Sequence, residues 1–393
     1  MKAALGASAT ALCPMTGRTG ASQIPVMNNP ATPGSRAGVF LAGVIKGAPE
    51  QVVKLAVRHA AEAATDFSWL SKGDAVFIKP VNNSGNPYPA TTSPTAIAAM
   101  VDILKEKGAG RVIVGDMSGV QYLRFSPASF SGSSRALMAA SGVAKAAESS
   151  GAELHCFEEG GWDAFYEDIP TAGSHWKRGL MMPSILKEVQ HIVLLPRCSR
   201  HILAGSSLGL KAAVGYWRHD TRLEYHRDAA SLQEKTAEGN MVTTLITKQR
   251  LVISAAQKVL TTYGPDKGYP FEPETGVIIA SGSAVAHDMV SLAWLLENRR
   301  IIPEPEKDGF IDTSKVLPRL ANHIVTAWLG GWEQALASET LTKNSLNTIS
   351  DDRVLNHSYR IGGGVPSILL ESANGAVPDA LMYQLGRMTA LQA

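Results

Sequence analysis

Short apolar runs alternate with amphipathic stretches in the first half of the chain. The apolar runs predict strands at 38–44, 74–80, 110–116 and 152–157. Between them, apolar residues recur at helical spacing, which predicts helices at 49–64, 93–108 and 133–150. This β-α-β order predicts an α/β fold, with a mostly parallel sheet and helices on both faces.

The same alternation returns in a second α/β unit. It predicts strands at 191–197 and 275–282 and helices at 241–260 and 283–298. After Pro303 the pattern is helical and less regular. We therefore expect two α/β units facing a cleft, followed by a mainly helical C-terminal region. The expected bounds are 1–37 for an irregular N-terminal arm, 38–185 and 186–302 for the two α/β units, and 303–393 for the helical region.

Polar side chains follow two of the predicted buried strands. Lys79 and Asn82 lie at the end of one strand, and Asp116 and Ser118 lie at the end of the next. Right-handed crossovers bring the carboxyl ends of parallel strands to one edge of the sheet, where ligands bind in open α/β folds. A lysine there can direct its ammonium group at an anion. The alternative is that these residues only form turns and contact solvent.

The segment 196–228 carries many proton-active groups directly after a predicted strand. His201 and Lys211 flank a stretch of small residues, which differs from a P-loop because its glycines and lysine have the wrong spacing. His219, Asp220 and His226 follow closely, and such a group can bind a metal or transfer protons. A solvated helix face is the alternative.

A histidine and an aspartate open the predicted helix 283–298. A carboxylate in a first helical turn suits the helix dipole, so Asp288 has a structural explanation as well as a ligand-binding one.

Composition excludes several classes of protein. The chain has 393 residues, of which 45% are hydrophobic, and a formal net charge of +2, with no basic stretch typical of nucleic-acid binding. No apolar run reaches the ~18 residues of a membrane span. The apolar stretch near the N-terminus is shorter than a signal-peptide core, and three scattered cysteines predict no disulfide framework. We expect a cytoplasmic protein that binds neither nucleic acid nor membrane and forms a homo-oligomer through its N-terminal arm.

Taken together, these motifs resemble the domain-of-unknown-function family 362 over roughly residues 38–300. The stretches that carry the resemblance are GDAVFIKPVNNSG, GRVIVGDMSG, LLPRCSRHILAGSSLGLKAAVG and GVIIASGSAVAHDMVSLAW. The family's pattern falls here on Lys79, Pro80, Gly115, Asp116, Pro196, His201, Lys211, Gly215 and Asp288.

The chain also departs from the family pattern. Val81 stands where an asparagine is usual, Arg197, Ser199 and Arg200 replace parts of a lysine-rich segment, and Ala212 replaces a second asparagine. The cysteines do not supply the ferredoxin-like module of many members, so no iron–sulfur cluster is expected. The resemblance implies fold and site position, but no reaction.

Together these observations predict an enzyme that acts on a small anionic substrate, carboxylated or phosphorylated. The alternative is a non-catalytic protein that carries a metal or cofactor to a redox system. The predicted site comprises His201, Lys211 and Asp116 as catalytic residues, Lys79, Asn82, Ser118, Arg200 and Asp288 as substrate-binding residues, and His219, Asp220 and His226 as ligands of a divalent metal.

Overall fold

Sixteen strands lie in the part of the chain that the structure describes. This computed structural model describes residues 36–305 except 174, 202, 229, 263 and 267, positions 320, 324, 327 and 328, and residues 346–390. The strands are β1 (Arg36–Ile45), β2 (Ala75–Pro80), β3 (Arg111–Asp116), β4 (Arg124–Phe125), β5 (Phe130–Ser131), β6 (Glu153–Cys156), β7 (Phe165–Asp168), β8 (Leu180–Pro183), β9 (His191–Leu195), β10 (Ser199–His201), β11 (Gly205–Ser207), β12 (Gln249–Ala255), β13 (Val259–Leu260), β14 (Pro270–Phe271), β15 (Thr275–Ser281) and β16 (Ser367–Ser372).

Twelve α-helices accompany these strands in the described residues. They are α1 (Glu50–Ala64), α2 (Pro94–Glu106), α3 (Ser134–Ser141), α4 (Val143–Ser149), α5 (Ile185–Glu188), α6 (Gly209–Ala212), α7 (His219–His226), α8 (Leu232–Glu238), α9 (Thr243–Lys248), α10 (Ala284–Ile301), α11 (Arg353–Ile361) and α12 (Asp379–Thr389). Single turns of 3-10 helix lie at Phe157–Gly160, Ala213–Tyr216 and Ile349–Asp351.

One eight-stranded sheet organises the fold. Its strand order is β16-β1-β15-β12-β9-β2-β3-β6. Five of its seven strand pairings are parallel, and only β15 runs antiparallel to its two neighbours. The predicted α/β fold with a mostly parallel sheet is therefore confirmed.

Strands from both predicted α/β units belong to this sheet. The junction is β9, which pairs with β2 on one side and β12 on the other. Both units therefore contribute strands to one continuous sheet. The predicted N-terminal arm lies almost wholly outside the described residues, and β16 adds a strand from the region predicted to be mainly helical.

Both faces of the sheet are buried, and successive side chains of one strand pack against opposite faces. Ile78 packs in the core formed with α1 and α2, whereas Phe77 packs in the core beneath β7, β8 and α7. A third core lies between the sheet and α10. Burial on both sides explains why the strands read as continuous apolar runs in the sequence.

The predicted helix 241–260 is wrong over most of its length. Helix α9 ends at Lys248, and the chain continues directly as strand β12. Strand β12 is buried between β9 and β15, so its run LVISA packs as a central strand despite its helix-compatible spacing. The predicted helix 133–150 is divided into α3 and α4 by Gly142, whose φ of +86° ends the first helix.

No helix in the described residues is long and apolar enough to cross a membrane.

Candidate functional site

A cavity of about 190 Å³ lies at the carboxyl ends of β2, β3 and β9. Four predicted residues from separate segments, Lys79, Asp116, His201 and Lys211, line it together, as does His226. The other polar side chains in its wall are Asn83, Gln121, Arg197, Ser207, Arg222 and Asp266. Parallel strand ends thus bring basic and imidazole groups into one hollow.

A buried ion pair forms the floor of the cavity. The Lys79 ammonium lies 2.7 Å from Asp116 Oδ1, and both side chains are almost fully buried. Asp116 also accepts hydrogen bonds from the backbone N–H groups of Asn82 and Met117, at 2.7 and 2.8 Å. Burial lowers the pKa of Lys79, and the Asp116 carboxylate opposes that shift. The positive charge of Lys79 is therefore balanced within the protein.

Close approach of the backbone to this ion pair requires glycine at position 215. A Cβ atom there would overlap Lys79 Nζ and Asp116 Oδ1. We expect Gly215→Ala to lower the free energy of unfolding by about 1–3 kcal/mol, measured by urea denaturation. Gly282→Ala is the matched control, because a Cβ there meets no atom of the described residues within 4 Å. Equal stability of the two variants would contradict this geometry.

Two buried arginines in the wall donate to neutral acceptors. Arg197 donates to Ser207 Oγ at 3.2 Å, to Asn83 Oδ1 at 2.5 Å and to the carbonyl oxygens of Ala90 and Pro265. Among the described residues, no carboxylate lies within ion-pair distance of its guanidinium. Burial lowers the pKa of Arg197 to about 10.

Arg222 is held in the same way. It donates to the backbone carbonyls of Ser118, Met117 and Gly215 at 2.6–2.7 Å, and its buried Nε finds no hydrogen-bond partner among the described residues. Burial lowers its pKa to about 10 as well. These two guanidinium groups place positive charge beside the cavity that no contacting carboxylate of the described chain neutralises.

Lys211 extends from α6 into the cavity. Its ammonium lies 5.4 Å from the centre of the Tyr225 ring, and within the described ranges it has neither a hydrogen-bond acceptor nor an ion-pair partner. Burial is the main cause that lowers the pKa of Lys211 to about 7, and repulsion from Arg197, Arg222 and Lys79 adds to this shift. Near neutral pH a large share of this amine is therefore uncharged.

The two histidines of the cavity have complementary hydrogen bonds. His201 Nδ1 accepts the backbone N–H groups of Leu203 and Ala204, both at 3.1 Å, so in the neutral ring Nε2 carries the proton. His226 Nδ1 lies 2.8 Å from the carbonyl oxygen of Arg222 and donates to it, which leaves a lone pair on Nε2.

Burial keeps both imidazoles neutral. It lowers the pKa of His226 to about 3 and that of His201 well below its ordinary value, and Lys211 adds to both shifts by repulsion. One ring can thus donate a hydrogen bond while the other can accept one.

Of four predicted substrate-binding residues, one lines the cavity and three lie behind its wall. Lys79 lines the cavity, whereas Asn82, Ser118 and Arg200 do not. Asn82 accepts a hydrogen bond from Ser141 Oγ, and Ser118 Oγ donates to the Asn82 carbonyl, both at 2.7 Å. Arg200 donates to backbone carbonyls of His201 and Gly205. These contacts hold the loops that carry the wall.

The fifth, Asp288, also lies outside the cavity wall. Its two carboxylate oxygens accept the backbone N–H groups of Gly209 and Leu210, both at 2.7 Å. These residues begin α6, so Asp288 fixes the short helix that presents Lys211. The sequence pattern placed Asp288 at the start of its own helix; the tertiary contact to another helix could not be read from it.

The structure does not bring the three predicted metal ligands together. His226 lines the cavity, whereas His219 and Asp220 line a different, more open pocket. Asp220 accepts from Arg178 at 2.7 Å and from Arg218 at 3.0 Å, and burial lowers the pKa of His219 to about 4. The seven-residue spacing of the two histidines spans all of α7, a helix of eight residues.

Sequence reasoning missed Arg197 and Arg222 as members of the wall. The sequence position of each arginine could have indicated its place in the wall. Arg197 follows strand β9 almost directly, as Lys79 ends β2, and Arg222 precedes His226 by one helical turn.

A buried group elsewhere could hold a metal ion. His175, Glu238 and His357 each offer a ligand atom, and these atoms lie within 4.8 Å of one another. They come from the β7–β8 connection, the end of α8 and helix α11. No spacing motif joins them, so the sequence alone gave no sign of this group.

Known proteins resemble this chain in fold and in sequence. Solved structures similar to this chain include the lactate racemase apoprotein from Thermoanaerobacterium thermosaccharolyticum, at 12% identity and a TM-score of 0.38, and a protein from Thermotoga maritima, at 11% identity and a TM-score of 0.36. The alignments cover 62% and 59% of this chain and 54% and 55% of the solved chains, so the chain spans about half of their length. No curated protein matches.

One family model matches residues 76–293, more than half of the chain, and its description is domain of unknown function, DUF362. The match covers the strands that end in Lys79 and Asp116 as well as the segment that carries His201, Lys211 and His226. The chain is therefore a member of the DUF362 family.

Proposed function

We propose that this protein is an enzyme that acts on a small carboxylated or phosphorylated substrate bound in the cavity. The observation that carries the proposal is the surplus of buried positive charge in the cavity wall. Four basic side chains, Lys79, Arg197, Lys211 and Arg222, line it, and only Lys79 makes an ion pair with a described residue.

Buried cations without a counter-charge are unfavourable, because desolvation is not repaid by a nearby anion. An anionic ligand between Lys211 and the arginines would supply that counter-charge. Asp266 also lines the cavity, but it bonds to the neutral side chains of Asn83 and Gln121. Asp116 is already paired with Lys79. These contacts support a substrate with at least one negative charge.

The size of the cavity supports a small substrate. A cavity of about 150 Å³ in another protein accommodates benzene. The cavity here, at about 190 Å³, therefore suits a molecule of similar or slightly larger size. Hydroxy acids, keto acids and small phosphate esters fall in this range.

The hydrogen-bond geometry supports acid–base chemistry. The Lys211 amine can accept a proton near neutral pH, while the Nε2–H group of His201 can donate to an oxygen that gains negative charge. We therefore assign His201 as a hydrogen-bond donor to the substrate, Lys211 as the base and His226 Nε2 as a hydrogen-bond acceptor. Asp116 holds Lys79 and forms the floor.

The pH dependence of anion binding tests this proposal. Lys211 has a pKa of about 7 in the folded protein and 10.5 as its ordinary value. An anion prefers the protonated amine, so we expect affinity to weaken above pH 7, by up to about tenfold per pH unit. Titration calorimetry between pH 6 and 9, with a panel of small carboxylates and phosphate esters, measures this change.

The conservative variant Lys211→Arg is the control, since its charge persists and its affinity should stay flat over the same range. Turnover is then followed for the tightest ligand by NMR in D2O, as exchange of its carbon-bound hydrogens. Absence of binding across the panel would contradict the proposed anion site. Tight binding without any turnover would instead favour the carrier of a metal or cofactor over the enzyme.

A further inference from the structure

We propose that His175, Glu238 and His357 bind one divalent transition-metal ion of the zinc class. The set lies outside the cavity described above, because none of the three residues lines that cavity. Two imidazoles and a carboxylate form a common donor set for zinc, with a water molecule in the fourth position.

The distances within the set suit a shared ion. His175 Nδ1 lies 2.5 Å from Glu238 Oε1, and His357 Nε2 lies 2.9 Å from the same oxygen. Tetrahedral coordination with bonds of about 2.0–2.1 Å separates ligand atoms by about 3.4 Å. Small outward shifts of the two rings would therefore admit the ion.

The site combines buried ligands with an opening to solvent. The side chains of Glu238 and His357 are 1% and 10% exposed, whereas that of His175 is 36% exposed. An ion can therefore enter beside His175, and water can complete its coordination.

The backbone around Glu238 is shaped to hold its carboxylate. The N–H group of His175 donates to Glu238 Oε2 at 3.0 Å, which orients Oε1 towards the two imidazoles. Gly173, at a φ of +99°, passes so close that a Cβ atom would overlap this carboxylate. A ligand anchored by its own neighbours in this way is typical of metal sites.

A hydrogen-bonded triad without metal is the competing arrangement. The exposed Arg360 lies 3.2 Å from His357 Nδ1, and donation there would place the ring proton on Nε2, facing Glu238. Metal binding requires the opposite tautomer and a turn of Arg360 towards solvent. Added zinc would bind to the metal site but not to the hydrogen-bonded triad, so zinc binding distinguishes the two arrangements.

A bound ion would join three distant segments of the chain. It would tie the β7–β8 connection and helix α11 to the end of α8. Two residues beyond Glu238, Asn240 Nδ2 donates to the carbonyl of Leu210 at 2.9 Å, next to Lys211. The ion would thus stabilise the segment that holds Lys211 in the cavity wall.

Zinc titration of the full-length protein after chelator treatment tests the inference. We expect one equivalent of Zn²⁺ to bind with a Kd below about 1 µM and to raise the melting temperature. His357→Ala and His175→Ala should each weaken binding at least about 100-fold, because each removes a ligand. His175 is partly exposed, so its variant should stay folded even if the loss of His357 destabilises the protein.

His155→Gln is the matched control, because this histidine lies on β6 outside the proposed ligand set. It should bind zinc like the unmodified protein. Less than about 0.2 equivalents of bound zinc, or unchanged affinity in both alanine variants, would overturn the proposal in favour of the hydrogen-bonded triad. Neither result bears on the anion site, which calorimetry tests separately.

Discussion

Replacement of Lys211 by methionine is expected to reduce turnover by about 100- to 10,000-fold while the protein stays at least as stable. Methionine keeps an unbranched side chain of similar length but lacks the amine to which we assign anion binding and proton transfer. Burial and three neighbouring cations lower the pKa of Lys211 to about 7. The folded state therefore bears its full cost for the charged amine at pH 7 and below, and methionine removes it, with a gain of about 1–4 kcal/mol.

The gain in stability should depend on pH with a definite sign. In the unmodified protein the unfolded state binds more protons than the folded state between about pH 7 and 10.5, so stability should rise with pH there. The advantage of Lys211→Met should shrink over the same range. Lys145→Met, at an exposed position on α4, is the control for both measurements. Activity within tenfold of normal, or a large fall in melting temperature, would contradict the proposed role.

Replacement of Asp116 by alanine is expected to lower the free energy of unfolding by about 3–5 kcal/mol. The carboxylate is the ion-pair partner of Lys79, whose side chain is fully buried. Its loss leaves a buried ammonium without compensation, and the N–H groups of Asn82 and Met117 also lose their acceptor. Urea denaturation followed by circular dichroism measures the change.

Two further variants separate this effect from a general sensitivity to mutation. Asp102→Ala removes an exposed carboxylate on α2 and should cost less than about 1 kcal/mol. The double variant Lys79→Met/Asp116→Leu should recover part of the loss, because it removes both charges from the interior although the two N–H groups still lack their acceptor. A single variant as stable as Asp102→Ala would refute the buried-pair explanation.

Much of the fold could be predicted from periodicity, and the errors have a physical reason. Central strands such as β2 and β3 are buried on both faces, so they read as short apolar runs between helical patterns. The apolar residues of β12 also fit the spacing of a helix. Only the position of β12 between β9 and β15 makes this segment a strand. Strand β16 is half-exposed at the sheet edge beside β1 and gave no clear signal.

The sequence by itself determined where polar groups meet, since parallel strands end at one edge of the sheet. That rule and the family resemblance predict that Lys79, Asp116, His201 and Lys211 lie close together. The sequence could not show which of the positive charges have a carboxylate partner. Only the tertiary structure pairs Lys79 with Asp116 and leaves Lys211 without a counter-charge in the described chain.

Tertiary structure alone also assembled His175, Glu238 and His357, which lie 63 and 119 positions apart in the chain. Local patterns in a sequence report which face of a strand or helix is buried. Contacts between distant segments depend on how whole elements pack, and no short motif records them. For this protein the first kind of information located the cavity, and the second decided its charge balance and assembled the His175/Glu238/His357 group.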